Sequence, residues 1–306
     1  MTLGHPNATW WYWATRAVHW ILARMGLFQT VLLFMWLSER AQLNRTPPIE
    51  PWIIFVHAAV GMIGSTGLSA RFLARASLYA LTAIQLHLGY LYAFQSTLAY
   101  PRWLRARVAL RSLASAAVYL RILGIKQSSP SVSSSEFVHK YTTSQYTLGL
   151  SLLSVFTALT GLLSLPTNLI HIDRETQLIE HSSTWPLFVC LEPFVSFSLC
   201  LGFCVASVLY AFPLLITRSA VPNHDHRADQ LLFRLADWLT LSSLTVQLFF
   251  RDSNFSYWTR NGSEFWLHSH LLLNTFIIFA GVLVTMDIFK ASEHCPSERP
   301  VRLKTD

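Results

Sequence analysis

Charge is what this chain has least of. Only 13% of its 306 residues are Asp, Glu, Lys or Arg, against about 25% in a typical soluble domain. That shortage disfavours a well-solvated globule. The net charge of +7 is spread along the chain with no block of Lys and Arg, which excludes a nucleic-acid arm and leaves a topological reading of the charge. Cysteine is scarce too. Of Cys190, Cys200, Cys204 and Cys295, the first three fall in or beside one apolar run, so a disulfide framework is not expected. The patterns GxxxxGK[ST], HExxH, GxSxG and GxGxxG are missing, and phosphate cradling, zinc-peptidase chemistry and a nucleophile elbow lose their support with them. No cleavable signal peptide is legible either. The first apolar run follows a polar, Trp-rich lead and contains Arg24, which reads as an anchor helix.

Long apolar runs are abundant, and hydrophobic residues make up 52% of the chain. Eight runs stand out, at residues 17–37, 51–70, 75–95, 106–125, 146–166, 187–217, 231–250 and 267–290. A bilayer core of about 30 Å needs about 20 mostly apolar residues per helix, and only helices or closed barrels satisfy their backbones in lipid. The expected fold is therefore all-α, a polytopic bundle of eight transmembrane helices. It has an aromatic-rich lead (1–16), one helical membrane domain (17–290) and a tail (291–306). Trp10, Trp11, Tyr12, Trp13, Trp52, Trp103, Trp185 and Trp238 flank the runs as interfacial belts do. The sixth run is longer than a bilayer needs, and Pro193 and Pro213 near its ends are expected to trim or bend it.

The fourth run is the ambiguous one. Arg107, Arg111 and Arg121 fall on one face of it at the helical step of about 100° per residue. It either spans, with its arginines snorkelling or facing the bundle, or lies at the interface as an amphipathic helix, which leaves seven spans. The distribution of Lys and Arg favours seven spans with the N-terminus outside. Either topology places the C-terminus in the cytosol and the loop after the seventh run in the lumen or outside the cell. Asn7, Asn44, Asn254 and Asn261 head Asn-x-Ser/Thr sequons, which mark glycosylation where they face the lumen. Asn7 and Asn44 flank one span, so the two cannot both qualify.

Several short motifs occur in a characteristic order. Leu37-Ser38-Glu39-Arg40-Ala41 closes the first run and precedes Pro47, Pro48 and Pro51. Trp103-Leu104-Arg105-Ala106-Arg107 opens the fourth. Asn254-Phe255-Ser256-Tyr257-Trp258 and Glu264-Phe265-Trp266 lie before the last. This set resembles the transmembrane protein 101 family of animal multipass proteins over residues 20–290. Residues 1–16 and Ser128–Ser135 depart from that pattern and look like loosely ordered additions. The resemblance implies eight spans and an association with NF-κB signalling. It brings no catalytic residue, substrate or cofactor.

His57 and His87 lie in adjacent spans, either as a shared haem or metal pair or as two polar groups bonded between helices. His224-Asp225-His226 and His268-Ser269-His270 are His-x-His pairs without the four-ligand spacing that zinc wants. Cys200 and Cys204 share a helix face and read as packing residues. Cys295, just past the last span, is a candidate for palmitoylation. Arg24, Arg111, Glu192, Asp237 and Asp287 are ionisable groups in or at the edge of spans, where charge is costly and points to function. Leu81-Thr82-Ala83-Ile84-Gln85-Leu86 is echoed by Leu244-Thr245-Val246-Gln247-Leu248, with Trp103 and Trp266 following at similar distances. That echo suggests two halves of four spans each, a parallel repeat as some transporters have, or else the chance similarity of apolar helices. The tail Arg302-Leu303-Lys304-Thr305-Asp306 resembles a dilysine retrieval signal, so the endoplasmic reticulum joins the plasma membrane as an expected location. The first functional expectation is a non-enzymatic protein that acts through protein partners in the bilayer. A small-solute or ion transporter comes second, and a haem protein or membrane enzyme using His57 and His87 third.

Overall fold

A computed structural model describes residues 6–43, 50–70, 73–94, 100, 102–127, 144–164, 186–218, 226–252 and 265–293. The described chain is all-α, with no strand among these residues. The helices are α1 (Pro6–Gln42), α2 (Pro51–Ser69), α3 (Ala74–Phe94), α4 (Arg102–Gln127), α5 (Ser144–Leu163), α6 (Pro186–Arg218), α7 (His226–Gln247) and α8 (Phe265–Glu293). A π turn, Leu248–Asp252, continues α7. Each of the eight apolar runs is thus a helix. Helix α1 starts at Pro6, so most of the aromatic lead is helical and continuous with the first span. Neither Pro193 nor Pro213 ends α6, which runs through both.

Six of these helices (α1, α2, α4, α5, α6 and α8) are long and apolar enough to cross a membrane. The outer surface agrees with that solvent. Phe28, Val31, Phe55, Ile63, Val155, Leu159, Phe197, Val208, Phe212 and Leu215 are all exposed, the reverse of a water-soluble surface. The protein is a multipass membrane protein. Helices α3 and α7 fall short of the same standard because their inner faces are polar. Ser77, Thr82 and Gln85 are buried on α3, and Asp229, Asp237, Thr240, Ser243 and Gln247 on α7. Their outer faces carry Tyr79, Leu86, Tyr90 and Phe94, and Leu231, Leu235, Trp238 and Phe249.

Helix α4 corrects the interfacial alternative. Its apolar stretch is 89% buried, and that of α8 is 67%, against 33–44% for α1, α2, α5 and α6. Helix α4 packs on α3, α5 and α8, while α8 packs on α1, α4 and α7. A helix lying on a membrane surface keeps one face in headgroups and water; α4 is enclosed on all sides. The two innermost helices are therefore α4 and α8. The trio α1–α2–α3 packs in sequence on one flank, and α5–α6–α7 on the other.

Small residues set the closest approaches. A β-carbon on Gly281 of α8 would overlap the Val118 side chain of α4, and one on Gly149 of α5 would come within 2.7 Å of the Ala117 carbonyl. In lipid, where apolar side chains gain little by leaving the solvent, such close backbone contacts are a main source of helix association.

Candidate functional site

The arginine stripe of α4 points inward, toward α7. Arg121 forms a two-pronged ion pair with Asp237, at 2.7 Å from Nη1 and 3.0 Å from Nη2. Tyr210 of α6 donates to the same carboxylate at 2.6 Å, and the Tyr146 ring of α5 lies 5.7 Å from the Arg121 guanidinium. Toward the other end of α4, Arg107 and Arg111 share Asp252, at 2.6 and 2.7 Å. With its amide turned to match the donors around it, Gln247 accepts from both arginines, at 3.0 and 3.2 Å. Arg111, Arg121, Asp237 and Asp252 are at most 1% exposed. Side chains this deep in a membrane bundle require partners, and the paired arginines explain how α4 carries three charges at the centre of the fold.

A second polar cluster joins α1, α3, α4 and α8. Gln85 donates to Gln29 and Gln29 to Asn274, each at 2.7 Å. Ser115 Oγ lies 3.4 Å from the Asn274 carbonyl oxygen. His270, one turn earlier on α8, rests against the Tyr92 ring with centroids 6.4 Å apart. Gln29, Gln85, His270 and Asn274 are all at most 4% exposed.

The helix ends near these clusters are tied to neighbouring helices. Glu39, at the end of α1, accepts from the backbone N–H groups of Phe265 and Trp266 at 3.0 and 3.2 Å. It thereby caps the positive end of α8 in trans. Glu39→Ala is expected to cost about 1 kcal/mol, read as a lower unfolding midpoint in detergent; Glu39→Gln, which keeps an acceptor, is expected to cost less. Arg105 donates to the terminal carbonyls of α3, Tyr92 and Ala93, at 3.0 and 2.9 Å. His268 Nε2 lies 2.6 Å from the Asp252 carbonyl at the end of the π turn.

The other residues singled out by the sequence have different surroundings. Asp237 and Arg111 belong to the charged clusters just described. Arg24 is half-buried, with its guanidinium 5.6 Å from the exposed Trp20 ring. His57 and His87 do meet, edge to edge: their near-parallel rings lie 4.9 Å apart at 15°, with His87 Nδ1 3.0 Å from His57 Nε2. His57 Nδ1 is 2.7 Å from the Ile53 carbonyl. A haem held by both imidazoles must sit between them, and these two rings leave no gap for a macrocycle. The bonded-pair alternative describes them. Among the described residues no three His, Cys, Asp or Glu side chains converge as a metal site. The side chains of Glu192 and Asp287, together with Asn44, Asn254, Asn261 and Cys295, lie outside the described residues.

Sequence reasoning missed Asp252, Gln29 and Asn274. Asp252 falls beyond the seventh apolar run, and single amides inside apolar runs give no periodic signal. No family model, curated protein or solved structure matches this chain.

Proposed function

We propose that this protein is an eight-span carrier of a small solute, built from two four-helix halves and held here with both sides closed. The observation that carries the reading is the pair of buried ionic clusters joining α4 to α7 at two depths. Arg111 and Arg121 are about 15 Å apart along α4 at 1.5 Å per residue. Among the described residues, α4 and α7 are not a closely packed backbone pair; the long guanidinium side chains reach across between them. With both termini in the cytosol, Arg107/Arg111–Asp252 forms a lumenal latch and Arg121–Asp237 a cytosolic one. Breaking either opens one side. A purely structural membrane core has little reason to hold five charged side chains, since apolar replacements pack at no loss.

The two halves support the same reading. At one constant offset, Arg105 corresponds to His268, Arg107 to His270 and Arg111 to Asn274. Their contacts correspond too. Arg105 binds the end of α3 as His268 binds the end of α7. The α7 end meets Arg107 just as Tyr92, near the α3 end, meets His270. Paired halves around a midplane site are the architecture on which alternating access works. The signalling role rests on the family resemblance alone, with no contact in the bundle that favours it.

Sided labelling of Ser115→Cys, in a chain with its four native cysteines replaced, tests the carrier. In sealed vesicles a membrane-impermeant thiol reagent is expected to reach position 115 from each side. Neutralising the lumenal latch (Arg107→Gln, Arg111→Gln and Asp252→Asn together) should favour labelling from the lumen. Neutralising the cytosolic one (Arg121→Gln with Asp237→Asn) should favour labelling from the cytosol. A position 115 that is unreactive from both sides in all three chains, each monodisperse on gel filtration, overturns the carrier.

A further inference from the structure

We infer that the carried solute is a small monovalent oxyanion or carboxylate, bound between α4 and α8 by Arg111, Ser112, His270 and Asn274. The inference rests on the carrier reading for its transport role but not for the binding site. Several fully buried polar atoms have no partner among the described residues: Arg111 Nη1, Ser112 Oγ, the Asn274 amide nitrogen, the Gln85 carbonyl oxygen and both ring nitrogens of His270. Each of these side chains is at most 2% exposed. Native interiors leave few such atoms unsatisfied, and this many on neighbouring helices mark a place where something polar belongs.

The residues that carry them lie about one helical turn apart along α4 and α8, beside α3. The Ser115–Asn274 approach at 3.4 Å fixes the register of α4 against α8. One turn nearer the start of each helix lie Arg111 and His270. Ser112 faces α3, where a β-carbon on Gly89 would come within 3.5 Å of its own, and Tyr92 on the same helix rests against His270. The site is bounded by Asp252 on the α7 side and by the amide chain Gln85–Gln29–Asn274 on the α1 side.

The chemistry of the free atoms selects the ligand. Arg111 Nη1, the Asn274 NH2, the Ser112 hydroxyl and one N–H of His270 are donors. The free acceptors, the Gln85 carbonyl and the second His270 nitrogen, are fewer. The Asp252 carboxylate is already engaged by Arg107 and Arg111. A donor-rich pocket containing a guanidinium edge matches a planar oxyanion, which accepts several charge-assisted hydrogen bonds at once. The Gln85–Gln29–Asn274 chain adds adaptability. Its amides can all turn together, which moves the unpaired donor from Asn274 to Gln85 and presents an acceptor to a protonated ligand.

Acetate and its neutral isostere acetamide distinguish the possibilities in the purified full-length protein. At constant ionic strength acetate is expected to raise the unfolding temperature saturably, with acetamide inert. Nitrate should act like acetate, and chloride more weakly. Asn274→Asp places a carboxylate where the anion would lie; it should abolish the acetate response while its own unfolding temperature stays at or above the parent's. Ser112→Ala, a smaller change that keeps the fold, should weaken the acetate midpoint several-fold. Equal responses to acetate and acetamide, or an undiminished acetate response in Asn274→Asp, overturn the anion site. Protein-dependent flux of labelled nitrate into vesicles, an anion with no neutral acid form at neutral pH to cross the lipid unaided, reports on the carrier separately. Saturable binding that Asn274→Asp abolishes, without flux, keeps the site and sinks the carrier. Flux that survives Asn274→Asp unchanged sinks the site and keeps the carrier.

Discussion

Asp237→Ala is expected to be among the most damaging single changes in the bundle, with a loss of about 3–5 kcal/mol. The carboxylate is the shared partner of Arg121 and Tyr210, and all three are buried. Truncating it leaves a guanidinium with its charge uncompensated among α4, α5 and α6. The same loss does not follow when both charges go. Arg121→Met with Asp237→Leu removes the uncompensated ion and is expected to restore most of the stability, because a buried pair replaced by apolar groups of similar size is often neutral or better. Unfolding midpoints of the parent, the single variant and the double variant form the test. A double variant as unstable as the single one would show that the pair is needed for more than mutual neutralisation. Parental stability in the single variant would place the Arg121 charge in contact with water.

Gly281→Ala should produce the second large effect. Alanine normally improves a helix by about 1 kcal/mol over glycine, so the expected sign here is opposite to that of local propensity. The added methyl overlaps the Val118 side chain, and a β-branched residue in a helix has little rotamer freedom with which to move aside. Overpacking of this kind costs about 1–3 kcal/mol, and the inner pair α4 and α8 must separate to relieve it. Adding Val118→Ala to the same chain should recover much of the loss. A more stable Gly281→Ala chain, measured by unfolding in bicelles, would mean that the two helices are held apart in the membrane.

These two contacts bear on what the sequence makes legible. Eight helices are written as eight apolar runs, because the bilayer imposes a length that composition alone reveals. The depth of α4 is not written there. Three arginines on one face look the same in sequence whether they face headgroups or two aspartates on a distant helix. The deciding information lies at positions 237 and 252, more than a hundred residues away. The short echo of α3 in α7 is legible and marks Gln85 and Gln247, both buried. The more telling correspondence is hidden, since Arg107 with His270 and Arg111 with Asn274 share no chemical class. The histidine pair shows the converse. Its proximity can be read from adjacent spans, but whether the rings bond or hold a group apart depends on an ångström-scale distance that spacing does not encode.

The π turn at Leu248–Asp252 gives the α7 surface an unexpected phase. Counting in ordinary helical steps from Asp237 through Leu244 to Gln247, the inner face next comes round at position 251, an arginine. The wider turn inserts one residue into the repeat, and position 252, an aspartate, comes round in its place. The Arg107/Arg111–Asp252 cluster is therefore a matter of reading frame as much as composition. A one-residue deletion between 248 and 250 would keep Asp252 on the inner face in an ordinary α-helix, whereas tightening the π turn without a deletion would turn position 251, a third cation, toward Arg107 and Arg111.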